Sequence, residues 1–370
     1  MKRIIFLVAV NISVICLLIG ALELTGQFVF YFVKGYPVYN SAQRRLFELH
    51  PYLVGRLQNN ISVMHGNKKI TSTDMHTRNT GKPLSHNTIK VAVLGGSTTF
   101  GTGLTDLDTW PALLQNALGD GYSVVNYGVP GYSTVEAIIQ LALIVPEIKP
   151  DYVVMYEGWN DIRNYHEINT GSDYISHGMM QYESLQIPVW TGHTIFERLS
   201  EISSIVHFID KMRDHQNDRR LASGGKDSRE PDSYVDRIYE RNLNTMKMLV
   251  KNMPAHALFV PQVLNYADFR GKKGSRVWTP HIEDDAMPEL LDKFNRKMSA
   301  VCRKGDQSCT VLDEVTSQKW HADDFIDDGH FSRKGGMIFA LLIAKRIKQS
   351  GGRKGITPVL HNRRKSHGLS

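Results

Sequence analysis

Apolar positions follow two patterns along the chain. From Ile4 to Leu22 they form one run, broken only by Asn11, Ser13 and Gly20. The run is about 19 residues long, just enough to cross a bilayer core as a helix. Lys2 and Arg3 precede it, which favours a cytoplasmic N-terminus and an exported body. No small-x-small cleavage site follows: Leu18 lies two before Gly20, and Leu24 two before Gly26. An uncleaved anchor over residues 1–34 is therefore expected, ahead of a cleaved signal or a buried core helix. Phe28 to Val33, with Tyr31 among them, suits the outer membrane interface. Residues 35–88 are polar and rich in turn formers. They read as a linker that becomes an edge segment packed on the main domain.

From Lys90 the pattern changes to short apolar runs alternating with amphipathic stretches. Lys90–Leu94, Tyr122–Asn126, Tyr152–Tyr156, Ala257–Val260 and Thr310–Leu312 read as strands. Trp110–Leu118 reads as a helix with Asp108 or Thr109 as its cap, Ser133–Val145 as one opened by a Ser133/Glu136 capping box, and Pro288–Cys302 as a third. Ser332 caps a last helix running to about Lys348. Strands without polar alternation, separated by helices, predict an α/β three-layer sandwich: a central parallel sheet flanked by helices, over residues 89–350, beside the transmembrane helix. The alternation lapses between about Arg163 and Pro254, so residues 164–254 read as an insertion over the carboxyl edge of the sheet. Within it, Ile195–Met212 has amphipathic helical spacing. The insertion is either a substrate lid or a decorated surface segment.

Composition is that of a globular protein, 42% hydrophobic and 22% charged over 370 residues. The net charge of +7 belongs to the ends. Residues 351–370 carry Arg353, Lys354, Arg363, Arg364 and Lys365 without an acid, and residues 1–34 carry Lys2, Arg3 and Lys34 against Glu23. The body between them is formally neutral, so no nucleic-acid partner is expected. The basic tail reads as a solvated terminus. Cys302 and Cys309 enclose a short polar loop; export would permit a disulfide there, but spacing does not establish one.

Four segments fall at strand ends or just before a helix, where open parallel sheets bind ligands. Gly95-Gly96-Ser97-Thr98 turns sharply after the first strand and presents Ser97 at the sheet edge. No lysine follows in phosphate-loop register. Asn126-Tyr127-Gly128-Val129-Pro130-Gly131 follows the second strand, where the Gly128 N–H is a candidate oxyanion donor. Gly158-Trp159-Asn160-Asp161 follows the third, and the Asn160 amide is a second candidate. Asp327-Asp328-Gly329-His330 precedes the last helix: a neutral imidazole beside Ser97 would take its proton, and a carboxylate three residues earlier would orient the ring. Each segment alone reads equally well as a turn. His321, Asp323 and Asp324 lie close in sequence, but no second such cluster stands at another strand end, so no metal is assigned.

Taken in order, the four segments resemble those of the GDSL-like SGNH hydrolase family over roughly residues 88–345. The resemblance implies catalytic Ser97, Asp327 and His330, with an oxyanion hole of the Ser97 N–H, the Gly128 N–H and the Asn160 amide. Asp328 lacks the family offset. The first block reads GGST instead of GDS, which points to a membrane-tethered branch. The resemblance further implies a serine esterase without metal or organic cofactor. Its expected partners are acyl esters, O-acetyl groups on an envelope or exported glycan among them, with lipid esters open. The catalytic domain is expected outside the cytoplasmic membrane. An O-acyltransferase using the same acyl-enzyme, or a catalytically silent binding protein on this fold, are the alternative readings.

Overall fold

Five short apolar runs with no polar face must be covered on both sides, and they line up as one parallel sheet. The computed structural model describes residues 1–34, 37–38, 46–53, 55–65, 67–167, 170–174, 195–200, 202–222, 228–276, 278–302 and 308–351. Helix α1 (Lys2–Lys34) takes in both the apolar run and the Phe28–Val33 stretch. Two antiparallel hairpins follow, β1 (Phe47–Glu48) with β2 (Arg56–Leu57) and β3 (Ser62–His65) with β4 (Lys68–Thr71). Phe47, Leu53, Leu57 and Ile70 from this region pack against Phe100, Val129 and Tyr132 beside the first two strand-end turns. Buried Arg78 pins the region: its guanidinium donates to Asp106 Oδ1 (3.0 Å) and to the Phe100 and Gly101 carbonyls (2.8 Å each). With the Leu104 carbonyl accepting from its other terminal nitrogen and Asp106 beside it, a buried cation is tolerable.

The sheet begins at β5 (Ile89–Gly95), which runs into the one-turn helix α2 (Ser97–Phe100). Then come α3 (Trp110–Leu118), β6 (Tyr122–Asn126), α4 (Thr134–Leu143), β7 (Tyr152–Tyr156) and the short α5 (Trp159–Ile162). The capping box at α4 is present, with Ser133 N–H donating to Glu136 Oε2 at 2.8 Å. After α6 (Ile195–Ser200), α7 (Ser204–Ala222) and α8 (Ser233–Asn252), the sheet resumes with β8 (His256–Phe259), then α9 (Met287–Cys302), β9 (Cys309–Val311), α10 (Glu314–Ser317) and α11 (Arg333–Gly351). The strand order is β6-β5-β7-β8-β9, and all pairs are parallel. One face packs on α3 and α11, through Trp110, Leu114, Phe339 and Ile343. The other packs on α4, α8 and α9, through Ala137, Leu243, Met246 and Phe294. Cys302 and Cys309 form a disulfide that ties the end of α9 to the start of β9.

The region read as an insertion divides differently. Helix α8 belongs to the sandwich: Val235, Ile238, Tyr239, Leu243, Met246 and Val250 recur at helical spacing and are buried against the sheet. It is the crossover that two parallel strands require. Its charged outer positions mask that stripe in the sequence. The helix expected over Ile195–Met212 breaks in two, because Glu23 of α1 caps α7 from outside: Ser204 N–H donates to Glu23 Oε1 (2.6 Å), and Ile205 N–H to Oε2 (3.1 Å). A carboxylate at a helix N-terminus fills orphan donors and matches the helix dipole. Of the insertion read over 164–254 as either a lid or a decorated surface segment, residues 168–169, 175–194, 201 and 223–227 lie outside the described residues.

Candidate active site

The parallel sheet delivers the ends of β5, β6 and β7 and the turn before α11 to one edge. Ser97 is the first residue of α2, where the N–H has no partner within the helix. His330 sits in a turn held by Ile326 N–H, which donates to the His330 carbonyl at 2.8 Å, and by Asn265 N–H, which donates to the Asp328 carbonyl at 2.9 Å. These constraints bring together residues 233 positions apart: His330 Nε2 is 2.7 Å from Ser97 Oγ. On its other side, His330 Nδ1 is 2.7 Å from Asp327 Oδ2.

Asp327 also accepts from the Gly329 N–H (3.0 Å) and the His330 N–H (2.8 Å) through Oδ1. Partial burial alone would raise this carboxyl. The His330 side chain and the two amides outweigh it and bring Asp327 down to about 2. Asp327 is thus an anion throughout the neutral range, and Nδ1 of a neutral His330 carries the proton facing it. Nε2 is then free to accept from Ser97. The neighbouring Asp328 ion-pairs with Arg276. Among the described residues Asp327, Asp328 and His330 are the one group with metal-ligand proximity, and all three are engaged with each other, with Ser97 or with Arg276.

Asn160 reaches the same edge from α5. Its Nδ2 donates to the Tyr132 carbonyl at 2.7 Å, and its Oδ1 accepts from Trp278 Nε1 at 3.1 Å. An indole N–H only donates and a carbonyl only accepts, so these two partners fix which way the amide points. A Cβ on Gly96 would fall 2.3 Å from Asn160 Nδ2. Glycine in the GGST block therefore lets the amide lie close against the backbone at Gly96. Trp278 had no signal in the sequence. It comes from the loop after β8, and the Arg163 guanidinium stacks 3.9 Å from its ring centroid.

The Gly128 N–H, expected as an oxyanion donor, has a side-chain partner in the resting chain. Its N–H donates to Asn126 Oδ1 at 2.9 Å, within a turn in which Asn126 Nδ2 also holds the Thr99 carbonyl at 2.9 Å. Asn126 competes for that N–H through a local Asx-type bond, which spacing alone does not disclose. The glycine is needed for room: a Cβ at 128 would meet Phe100 N at 2.4 Å and the Thr99 carbonyl carbon at 2.7 Å. Gly128→Ala is expected to displace α2, lowering stability by about 1–3 kcal/mol together with turnover. A glycine acting only through its N–H would tolerate alanine, so urea unfolding of this variant separates the two roles.

Behind Asn160 lies a group of buried acids. Asp161 is fully buried and accepts from both Thr134 N–H and Thr134 Oγ1. Burial pushes it up to about 7; hydrogen bonds from Thr134 and Tyr174 oppose this, and the Glu136 charge adds to it. Burial holds Glu157 well above the usual carboxylate range, helped by the Asp161 and Glu136 charges. In the unfolded chain an aspartate releases its proton near ~3.9. Between about pH 4 and pH 7 the folded state therefore binds more protons than the unfolded one, and stability falls as pH rises through that window. Asp161→Asn is expected to reduce this fall between about pH 5 and pH 7 by at most about 2–3 kcal/mol, read as urea unfolding free energies at both pH values. An unchanged pH dependence would assign the proton elsewhere.

The sequence profile of the GDSL-like lipase/acylhydrolase family matches residues 93–337. No curated protein matches this chain. Among solved structures, the chain is similar to TesA, at 15% identity and TM-score 0.40 over 70% of this chain and 99% of that one. It is similar to the lipase/acylhydrolase from Enterococcus faecalis, at 17% identity and TM-score 0.39 over 70% and 95%. A variant of an acetyl xylan esterase from Geobacillus stearothermophilus gives 17% identity and TM-score 0.41 over 70% and 94%.

Proposed function

The chain belongs to the GDSL-like lipase/acylhydrolase family of ester-hydrolysing enzymes, and from that premise we propose that it is a serine esterase working through an acyl-enzyme on Ser97. The observation that carries this reading is the unbroken relay from Ser97 Oγ through His330 to Asp327, with both links at 2.7 Å.

In the proposed reaction His330 Nε2 takes the Ser97 proton as Oγ attacks the ester carbonyl. The carbonyl oxygen becomes an anion facing the Ser97 N–H and the second N–H of Asn160 Nδ2. His330 returns its proton to the leaving alcohol as the C–O bond breaks. A water then gives its proton to His330 and its oxygen to the acyl carbon, and His330 passes that proton to Ser97 Oγ as the acyl–Oγ bond breaks, which releases the acid and restores Ser97. Asp327 stays ionised and stabilises the imidazolium at each turn. Asp327 is half exposed and His330 about a quarter exposed, so water reaches the relay, which favours hydrolysis over acyl transfer to a glycan hydroxyl.

The proposed substrates are acyl esters presented at a membrane, either O-acetyl groups on an envelope or exported glycan or esters of lipid. Helix α1 is long and apolar enough to cross a bilayer. With Lys2 and Arg3 before it, we place the catalytic domain on the extracytoplasmic side. The test is covalent capture: a serine-directed phosphonate should form one adduct, on the peptide containing Ser97, and the adduct should be lost in His330→Ala. No adduct on Ser97 in the folded wild-type chain would favour a silent binding protein.

A further inference from the structure

Helix α1 has 33 residues, roughly 50 Å at 1.5 Å per residue, against a hydrocarbon core of about 30 Å. A span starting at Ile4 is used up near Glu23, yet α1 continues and stays apolar. Beyond that point two stripes separate. Glu23, Gly26, Gln27 and Phe30, at i, i+3, i+4 and i+7, face α7. Glu23 caps it, Phe30 packs edge-on to His207 at 5.2 Å between ring centroids, and a Cβ on Gly26 would fall 2.3 Å from Ser204 Oγ. Gln27 Nε2 donates to the Ile202 carbonyl at 2.9 Å. The contact is therefore specific and locks the start of α7 to α1 at the level where the span ends.

The other stripe of α1 carries Leu24, Phe28 and Phe32, and α7 carries Phe208, Ile209 and Met212 in an exposed stripe that flanks its contact with α1. These six side chains are between 44% and 72% exposed. Their spacing on α7 continues from Ile205, again at i, i+3, i+4 and i+7. An exposed apolar surface of this kind, carried by two helices locked together, has no partner among the described residues. It adjoins the bilayer span directly, and the exposed Arg213 follows it along α7, as suits a helix lying among anionic headgroups.

We propose that the α6–α7 hairpin lies in the outer interface of the bilayer. Its Phe208–Met212 face is immersed among lipid headgroups and upper acyl chains, and Glu23 sets its depth. The inference rests on α1 being a membrane span. It makes the second α1 stripe and the hairpin a lipid-contact surface that holds the catalytic domain against the membrane, on the chain that leaves α5 and its Asn160.

The test uses the full chain in vesicles of phosphatidylcholine and phosphatidylglycerol, with nitroxide labels at single cysteines. Cys16, the one free cysteine among the described residues, labels α1 itself. In a Cys16→Ser background, Phe208→Cys and Met212→Cys label the stripe, and Asp210→Cys labels the opposite side of α7. The expected result is stronger relaxation by dissolved oxygen than by a water-soluble nickel chelate at 16, 208 and 212, with the order reversed at 210. Oxygen dominance at 16 alone, with the chelate dominant at 208 and 212, overturns the proposal and leaves the anchor intact. Labels at 208 and 212 shielded from both reagents also overturn it, because a second protein copy would then cover the face. Chelate dominance at 16 overturns the anchor reading and this proposal with it. Unchanged unfolding midpoints of the labelled variants check that each remains folded.

Discussion

Ser97→Ala, assayed as the full chain in detergent against p-nitrophenyl acetate, is expected to lose about 10⁴-fold or more in kcat. The loss follows from geometry: the hydroxyl that faces His330 Nε2 at 2.7 Å is placed to attack and to hand its proton to the relay. His330→Ala should lose a similar amount. The double variant should be no slower than either single one, because nucleophile and base act as one unit. Folding should be retained in all three. Ser97 and His330 are only partly buried, and neither belongs to the apolar clusters on the two faces of the sheet. Turnover of the wild-type chain that persists undiminished in Ser97→Ala would move the chemistry to another site.

Asn160→Ala is expected to lower kcat by about 10²–10³-fold with little change in KM, the signature of a donor used chiefly in the transition state. A more instructive variant is Trp278→Phe. It keeps the aromatic ring under Arg163 but removes the indole N–H that holds Asn160 Oδ1. The amide keeps its bond to the Tyr132 carbonyl, so a smaller loss is expected, about tenfold in kcat, comparable to one hydrogen bond of about 1–1.5 kcal/mol. If Trp278 acts by positioning Asn160, its substitution should cost nothing further in an Asn160→Ala background. Additive losses would instead mean that Trp278 contacts the substrate directly.

Much of this site was legible before folding. The glycines around Ser97, the short apolar strands and the Asp-x-x-His spacing are local properties. They depend on backbone conformation and periodicity within a few residues, which composition and order record. The capping box at Ser133 and the sheet strands were readable for the same reason. The resting partner of the Gly128 N–H was not legible, because it is the Asn126 side chain, which the turn folds back onto its own backbone. Helix α8 was missed because its buried stripe is threaded through charged positions whose outward direction only the sheet defines. Trp278 lies 118 residues from Asn160 and meets it solely because the β7 and β8 ends converge. The cap that Glu23 gives α7 joins positions 181 apart. The sequence by itself determined which groups could do acyl chemistry and which segments could be strands, helices or a membrane span. The tertiary structure decided which partner each of these donors meets at rest and which distant side chain holds Asn160, because hydrogen-bond partners are chosen by packing in three dimensions rather than by neighbours along the chain.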